Sequence, residues 1–267
     1  MNIERLRKII AYREKNYTEI GSMVKNFCSF SGIDPDSNVL NIMQIARASL
    51  SKKNFFIFEI PFADHEIGAL CYKGDAFGYV VINTSLPKVN TNFAIAHEIH
   101  HVFFQEQDFI SKVEFSNDRY YEHEEEYAAN LFAGMLLMPE ISFRRMYDQF
   151  KKESSGNELD TIIRLMAYYE VPYMAALIRC FELNLPEPHE NLSMLLSVTR
   201  DDLRQKLCEL WLDERILNAS GKDDYLSIER LVEKFGQEYI EEHYINDRTL
   251  RIVLQNMRAL YHKIKGE

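Results

Sequence analysis

Ile3, Leu6, Ile9 and Ile10 recur at helical spacing at the start of the chain, and this period predicts a helix over residues 2–30. Gly32-Ile33-Asp34-Pro35 is a break. Ser37 is placed to cap a further helix carrying Val39, Leu40, Ile42, Met43, Ile45 and Ala46. The pattern changes near residue 54. Segments 54–62, 67–71 and 78–83 are rich in Phe, Ile and Val and read as strands, with Gly74-Asp75 marking a hairpin between the last two. They predict one small antiparallel sheet. Asn90 or Thr91 then caps a predicted helix over 92–104.

Beyond residue 118 the helical period continues nearly to the end. One helix spans 122–137 and stops at Pro139, and a pair at 159–169 and 173–183 flanks Val171-Pro172. Thr199 caps a helix carrying Leu203, Leu207, Leu210 and Trp211. A turn at 218–224 precedes two amphipathic helices, 227–242 and 247–264. The expected class is α+β, with the small sheet on a helical core and a mostly α-helical C-terminal region. Its expected parts are N-terminal helices (1–50), a core (51–150), a helix pair packed on it (151–190) and a C-terminal helical module (191–267). Pro186-Glu187-Pro188 supplies the last boundary.

Composition narrows the classes. With 267 residues, 46% of them hydrophobic, the chain can bury a substantial core. Only 10 Gly and 7 Pro argue against a disordered or turn-rich all-β chain. A net charge of -10 argues against direct binding of nucleic acid or anionic membrane, which depends on Lys and Arg. The last helix does carry Arg248, Arg251, Arg258, Lys263 and Lys265, read as a solvated face. Cys28, Cys71, Cys180 and Cys208 form no C-x-x-C pair, which points away from a cysteine zinc knuckle and toward buried thiols in a reducing compartment. No stretch of about 18 apolar residues predicts a membrane span. The N-terminus is too charged for a signal peptide. The expected location is the cytoplasm.

The chemistry concentrates at His97-Glu98-Ile99-His100-His101. On a helix, His97 and His101 share one face a turn apart, so two neutral imidazoles can chelate one zinc ion, and Glu98 can reach a water at the open position. The bland alternative is a helix with hydrogen-bonded histidines. Against it, Phe93-Ala94-Ile95-Ala96 and Val102-Phe103-Phe104 predict burial, which is costly for His and Glu unless they are satisfied. A catalytic zinc needs a third protein ligand. The acidic run 122–126 is the source, although most of it reads as a solvated face. Glu126 opens an apolar stretch, and Asn130 lies one turn on, where its amide could orient a ligating histidine. Glu126 with Asn130 is the leading pair; Glu122, His123 and Glu125 are alternatives. His100 is about 100° round the helix from His101 and is expected to be structural or to support the ligands. An oxyanion donor stays open among Tyr120, Tyr121, Tyr127, His100 and His123.

Val81-Ile82-Asn83, Ala94 to His101, Glu126 to Ala133 and Leu136-Leu137-Met138-Pro139 together resemble the ImmA/IrrE family of metallopeptidases. The resemblance covers roughly residues 20–185. It implies a zincin-like core, His97, His101 and Glu126 as ligands of one zinc ion, and Glu98 as the base. Manganese also suits such donors. It implies an endopeptidase that cleaves a repressor-type transcription regulator. The alternative is a catalytically silent zincin-like module that binds or senses a regulator. Two features depart from the family: His100 stands where glycine is frequent, and no helix-turn-helix is evident before residue 50. The resemblance does not extend to segment 191–267, which could be a substrate-docking, dimerisation or regulatory helical module. A substrate strand is expected to pair beside 78–83.

Overall fold

The computed structural model describes residues 1–74, 78–105, 109–114, 124–186 and 192–266. The first helix, α1, spans Ile3–Ser31. Asn2 accepts from Arg5 N at its start, and Gly32 ends it with φ 71°, a left-handed conformation that glycine adopts without strain. The second helix, α2, spans Ile42–Ser51 and begins after Asn41, so Val39 and Leu40 lie outside it and Ser37 does not cap it. Ser37 instead turns back onto Asp34 O.

The sheet differs from the expected antiparallel one. Its strands are β1 (Phe55–Ile60), β2 (Ile67–Lys73), β3 (Gly78–Asn83) and β4 (Phe109–Glu114), in the order β1-β3-β2-β4. Pairings β2–β3 and β2–β4 are antiparallel, as the Gly74 hairpin signal implied, but β1 and β3 run parallel. Hydrophobic alternation marks a strand but does not set its direction. The fourth strand was missed because it follows the metal-motif helix with little apolar alternation. Topology also overturns the expected docking strand: β3 is paired on both sides and offers no edge.

Asn83 joins sheet to helix. Its buried side chain accepts from Phe62 N and Ser85 N, each at 3.0 Å, and donates to Asp64 O and Ile67 O. All four amide positions are satisfied, which fixes the turn leading into the next helix.

That helix, α3, spans Lys88–Phe104. Pro87 precedes it, so neither Asn90 nor Thr91 caps it: proline's preset φ starts the helix earlier. From Ala94 to Val102 every residue of α3 is buried. It runs between the sheet, α2 and the fourth helix, α4 (Glu124–Leu137). Residues 122 and 123, expected in that helix, lie outside the described residues. The fifth helix, α5 (Glu140–Glu153), begins directly after Pro139. The expected pair follows as α6 (Glu158–Tyr169) and α7 (Tyr173–Glu182).

The C-terminal region begins with α8 (Leu192–Leu196) and α9 (Arg200–Glu209). Thr199 and Asp202 form a capping box on α9. Trp211 lies beyond that helix, with φ 56° and 96% exposure, rather than on it. The turn at 218–224 lies against the core: Ala219 bridges Pro87, Lys88 N donates to Asn218 O, and Asp224 N donates to Glu59 O. Then α10 (Tyr225–Glu241) and α11 (Asp247–Lys265) pack on each other, leaving Leu231, Phe235, Tyr239 and Leu260 exposed. Cys28, Cys71 and Cys180 are buried as expected, but Cys208 is exposed. Among the described residues, no helix is long and apolar enough to cross a membrane.

Candidate metal centre

Helical spacing brings His97 and His101 onto one side of α3, with ring centroids 4.9 Å apart. Their Nε2 atoms lie 3.1 Å from each other. Glu126, in the first turn of α4, meets them with Oε2 3.2 Å from His97 Nε2 and Oε1 3.6 Å from His101 Nε2. These three residues form the group that could hold a metal ion. Ligand atoms around a tetrahedral zinc, with bonds of about 2.0–2.1 Å, stand roughly 3.3–3.4 Å apart. The three observed separations bracket that value.

The opposite ring nitrogens show why the donors converge. His97 Nδ1 is 3.1 Å from Asn130 Oδ1, and His101 Nδ1 is 3.0 Å from Gln105 Oε1. An amide oxygen can only accept, so each Nδ1 carries the proton and donates. Each Nε2 lone pair then points inward. Two Nε2 atoms 3.1 Å apart beside a carboxylate suit a shared positive charge, either a metal ion or a proton on His97.

The titration directions agree with one shared positive charge. Burial disfavours charge on His97, but the hydrogen bond and charge of Glu126, helped by Glu98 and Asn130, outweigh it and raise its pKa. Burial, reinforced by His97, lowers that of His101 to about 4. Burial would raise that of Glu126, yet its hydrogen bond with His97 and the imidazole charges hold it below the usual carboxylate range.

Glu98 follows His97 on α3 and is fully buried. Glu125 is exposed, as a solvated acidic face predicts, while Glu122 and His123 lie outside the described residues. His100 packs against His101, Phe104 and Phe132, and neither of its ring nitrogens has a hydrogen-bond partner among the described residues. Burial, with the neighbouring histidines, lowers its pKa to about 3. Tyr127 stacks on Tyr12 with centroids 5.4 Å apart. Tyr120 and Tyr121 are outside the described residues. Sequence reasoning missed Gln105. The available signal was a polar residue four positions after His101, just past the end of the predicted helix.

A cavity of about 260 Å³ lies between α1, α4 and α7, with Asn130 in its wall.

Two helices thus present two imidazoles and a carboxylate to one point beside a mixed sheet, which is the frame of a metal-site α+β protein. Residues 51–181, just under half of the chain, match the family model of the IrrE N-terminal-like domain, Peptidase_M78, which supports the ImmA/IrrE resemblance. The match suggests a protease-like zincin fold. A comparison with curated proteins found no match.

Proposed function

We propose that the protein is a zinc-dependent endopeptidase that cleaves a specific regulatory protein, a transcriptional repressor being the substrate expected. The observation that carries this reading is the convergence of His97 Nε2, His101 Nε2 and Glu126 on one point while Asn130 and Gln105 hold the outward nitrogens. His97, His101 and Glu126 would hold the ion; manganese remains compatible with the same donors. When bound, the ion supplies Lewis acidity that lowers the pKa of water and favours negative charge on oxygen.

The chain's own residues do the rest. Glu98, buried beside His97, takes the proton from the attacking water and passes it to the leaving amine. Its burial keeps bulk water from competing for that proton. Asn130 and Gln105 keep both imidazoles in the Nδ1–H tautomer, so no donor turns its protonated nitrogen inward. An extended substrate pairs along β4, which bonds to β2 on one side and is an edge among the described residues. That strand begins shortly after α3 ends and lies against it. Lys73 Nζ donates to Gln105 O at 2.8 Å, fixing the junction between them.

The test is elemental analysis of protein purified without chelators, beside His97→Ala and Glu126→Ala. About one zinc per chain, lost in both variants, is the expected result. A folded wild type that takes up no metal would remove the reading. Metal uptake without cleavage of any regulator would support the silent binding module instead.

A further inference from the structure

Three features meet at the cavity beside Asn130. The first is its size, about 260 Å³ and partly open, more than the space that holds a single benzene ring. The second is Gly134 in the interior of α4. Glycine inside a helix is destabilising relative to alanine, and a residue there usually answers to a steric need. None exists here, because a Cβ at Gly134 would meet nothing within 4 Å. The glycine thus leaves open space on the cavity side of α4. The third is the ion pair of Arg179 and Glu182 at 2.8 Å, with both residues in the cavity lining and 1% and 4% exposed. Burying two charges is expensive even when they are paired. Local costs that coincide at one place mark a functional site.

The walls indicate what fits. Ile9, Phe93, Leu131, Met174 and Ile178 are apolar, and the stacked pair Tyr12–Tyr127 adds aromatic surface. Arg5, Asn130, Arg179 and Glu182 supply the polar groups. The position indicates what an occupant does. His97 turns Nε2 toward the metal point and Nδ1 toward Asn130, whose residue lines the cavity. The cavity therefore meets the metal point through Asn130, since His97, His101 and Glu126 are absent from its lining. An occupant touches the residue that orients the metal ligand, not the reacting atoms.

We infer that this cavity is an effector site for a small apolar molecule of one or two rings carrying a single polar group, and that its occupancy is coupled to the metal centre through Asn130. The coupling rests on the metal-binding part of the proposed function; the cavity itself does not.

Indole is the probe, used on the wild type and on two plugged variants, Gly134→Leu and Ala175→Phe. At about ten times its Kd, indole should raise the Tm of the wild type by about 3 °C and leave the plugged proteins unmoved. In the wild type alone it should change zinc affinity by about fivefold, measured by chelator competition. Equal Tm shifts in all three proteins, or no shift in the wild type, would overturn the site. A shift confined to the wild type with zinc affinity unchanged would overturn the coupling. If the protein takes up no zinc, the proposed function fails while the Tm comparison still decides the cavity.

Discussion

Asn130 Oδ1 accepts from His97 Nδ1 at 3.1 Å, one helical turn after the carboxylate of Glu126 that faces the same imidazole. A single helix thus touches both nitrogens of one ring, one as co-ligand and one as orienter. Gln105 holds the outward nitrogen of His101 from just past the end of α3, at 3.0 Å. Removing either amide frees a ring to turn or change tautomer. Asn130→Ala and Gln105→Ala should each weaken zinc binding about 10–100-fold while leaving the fold intact. Competition titration with a chelator of known affinity, beside circular dichroism, checks this.

Glu98 contributes no donor to the group formed by His97, His101 and Glu126. Glu98→Gln should therefore retain its zinc and lose at least about 100-fold in cleavage rate, the scale of general-base catalysis. Undiminished proteolysis in this variant would defeat the assignment.

His100 is an imidazole packed among aromatic rings with neither nitrogen hydrogen-bonded among the described residues. Burying such a ring costs free energy that an apolar ring avoids. His100→Phe should stabilise the protein by about 1–2 kcal/mol at pH 7, read from urea denaturation.

The same burial sets an acid dependence in the metal-free protein. His100 and His101 titrate at about 3 and about 4 in the folded chain, against an ordinary value of 6.5. Between those limits the unfolded chain binds protons that the folded chain refuses, so stability falls as pH drops from about 6.5 toward 4. His97 opposes this, since its raised pKa contributes stability that is lost as pH rises through it. Below about 6.5 His97 is protonated in both the folded and the unfolded chain, so it no longer opposes the fall. Glu126, held low, adds its own loss as pH falls through its folded value. Denaturation midpoints at pH 7 and pH 5 should show the loss, and His100→Phe should make it smaller.

Two helical glycines should respond oppositely to alanine. Gly134→Ala adds a methyl to open space and should stabilise by about 1 kcal/mol. A Cβ at Gly236, in α10, would lie 2.2 Å from Leu250 Cδ1 and 3.1 Å from its Cγ, so Gly236→Ala should destabilise by about 1–3 kcal/mol by forcing α10 and α11 apart. Thermal melts of the two variants should fall on opposite sides of the wild type.

Much of this was legible before any fold was known. A four-residue interval between His97 and His101 places them on one helix face whatever surrounds that helix, because the α-helical repeat is local. The helix pair around Val171-Pro172, the Thr199 cap and the break at Gly32 were equally local signals. Asn130 was legible for the same reason, one turn beyond Glu126. Boundaries were less so: Pro87 started α3 before the expected Asn90 or Thr91, since a preset φ and a side-chain cap compete for the same role.

What the amino-acid sequence determined by itself was therefore the kind of each element and the face on which each polar residue stands, since both follow from repeats of two to four residues. Only the tertiary structure decided which carboxylate reaches the two histidines, that β1 and β3 run parallel, that β3 is no edge, and that α1, α4 and α7 leave a cavity against Asn130. Those relations join residues tens of positions apart. They are set by how whole faces of helices and sheet fill space against one another, and no short period in the chain records that.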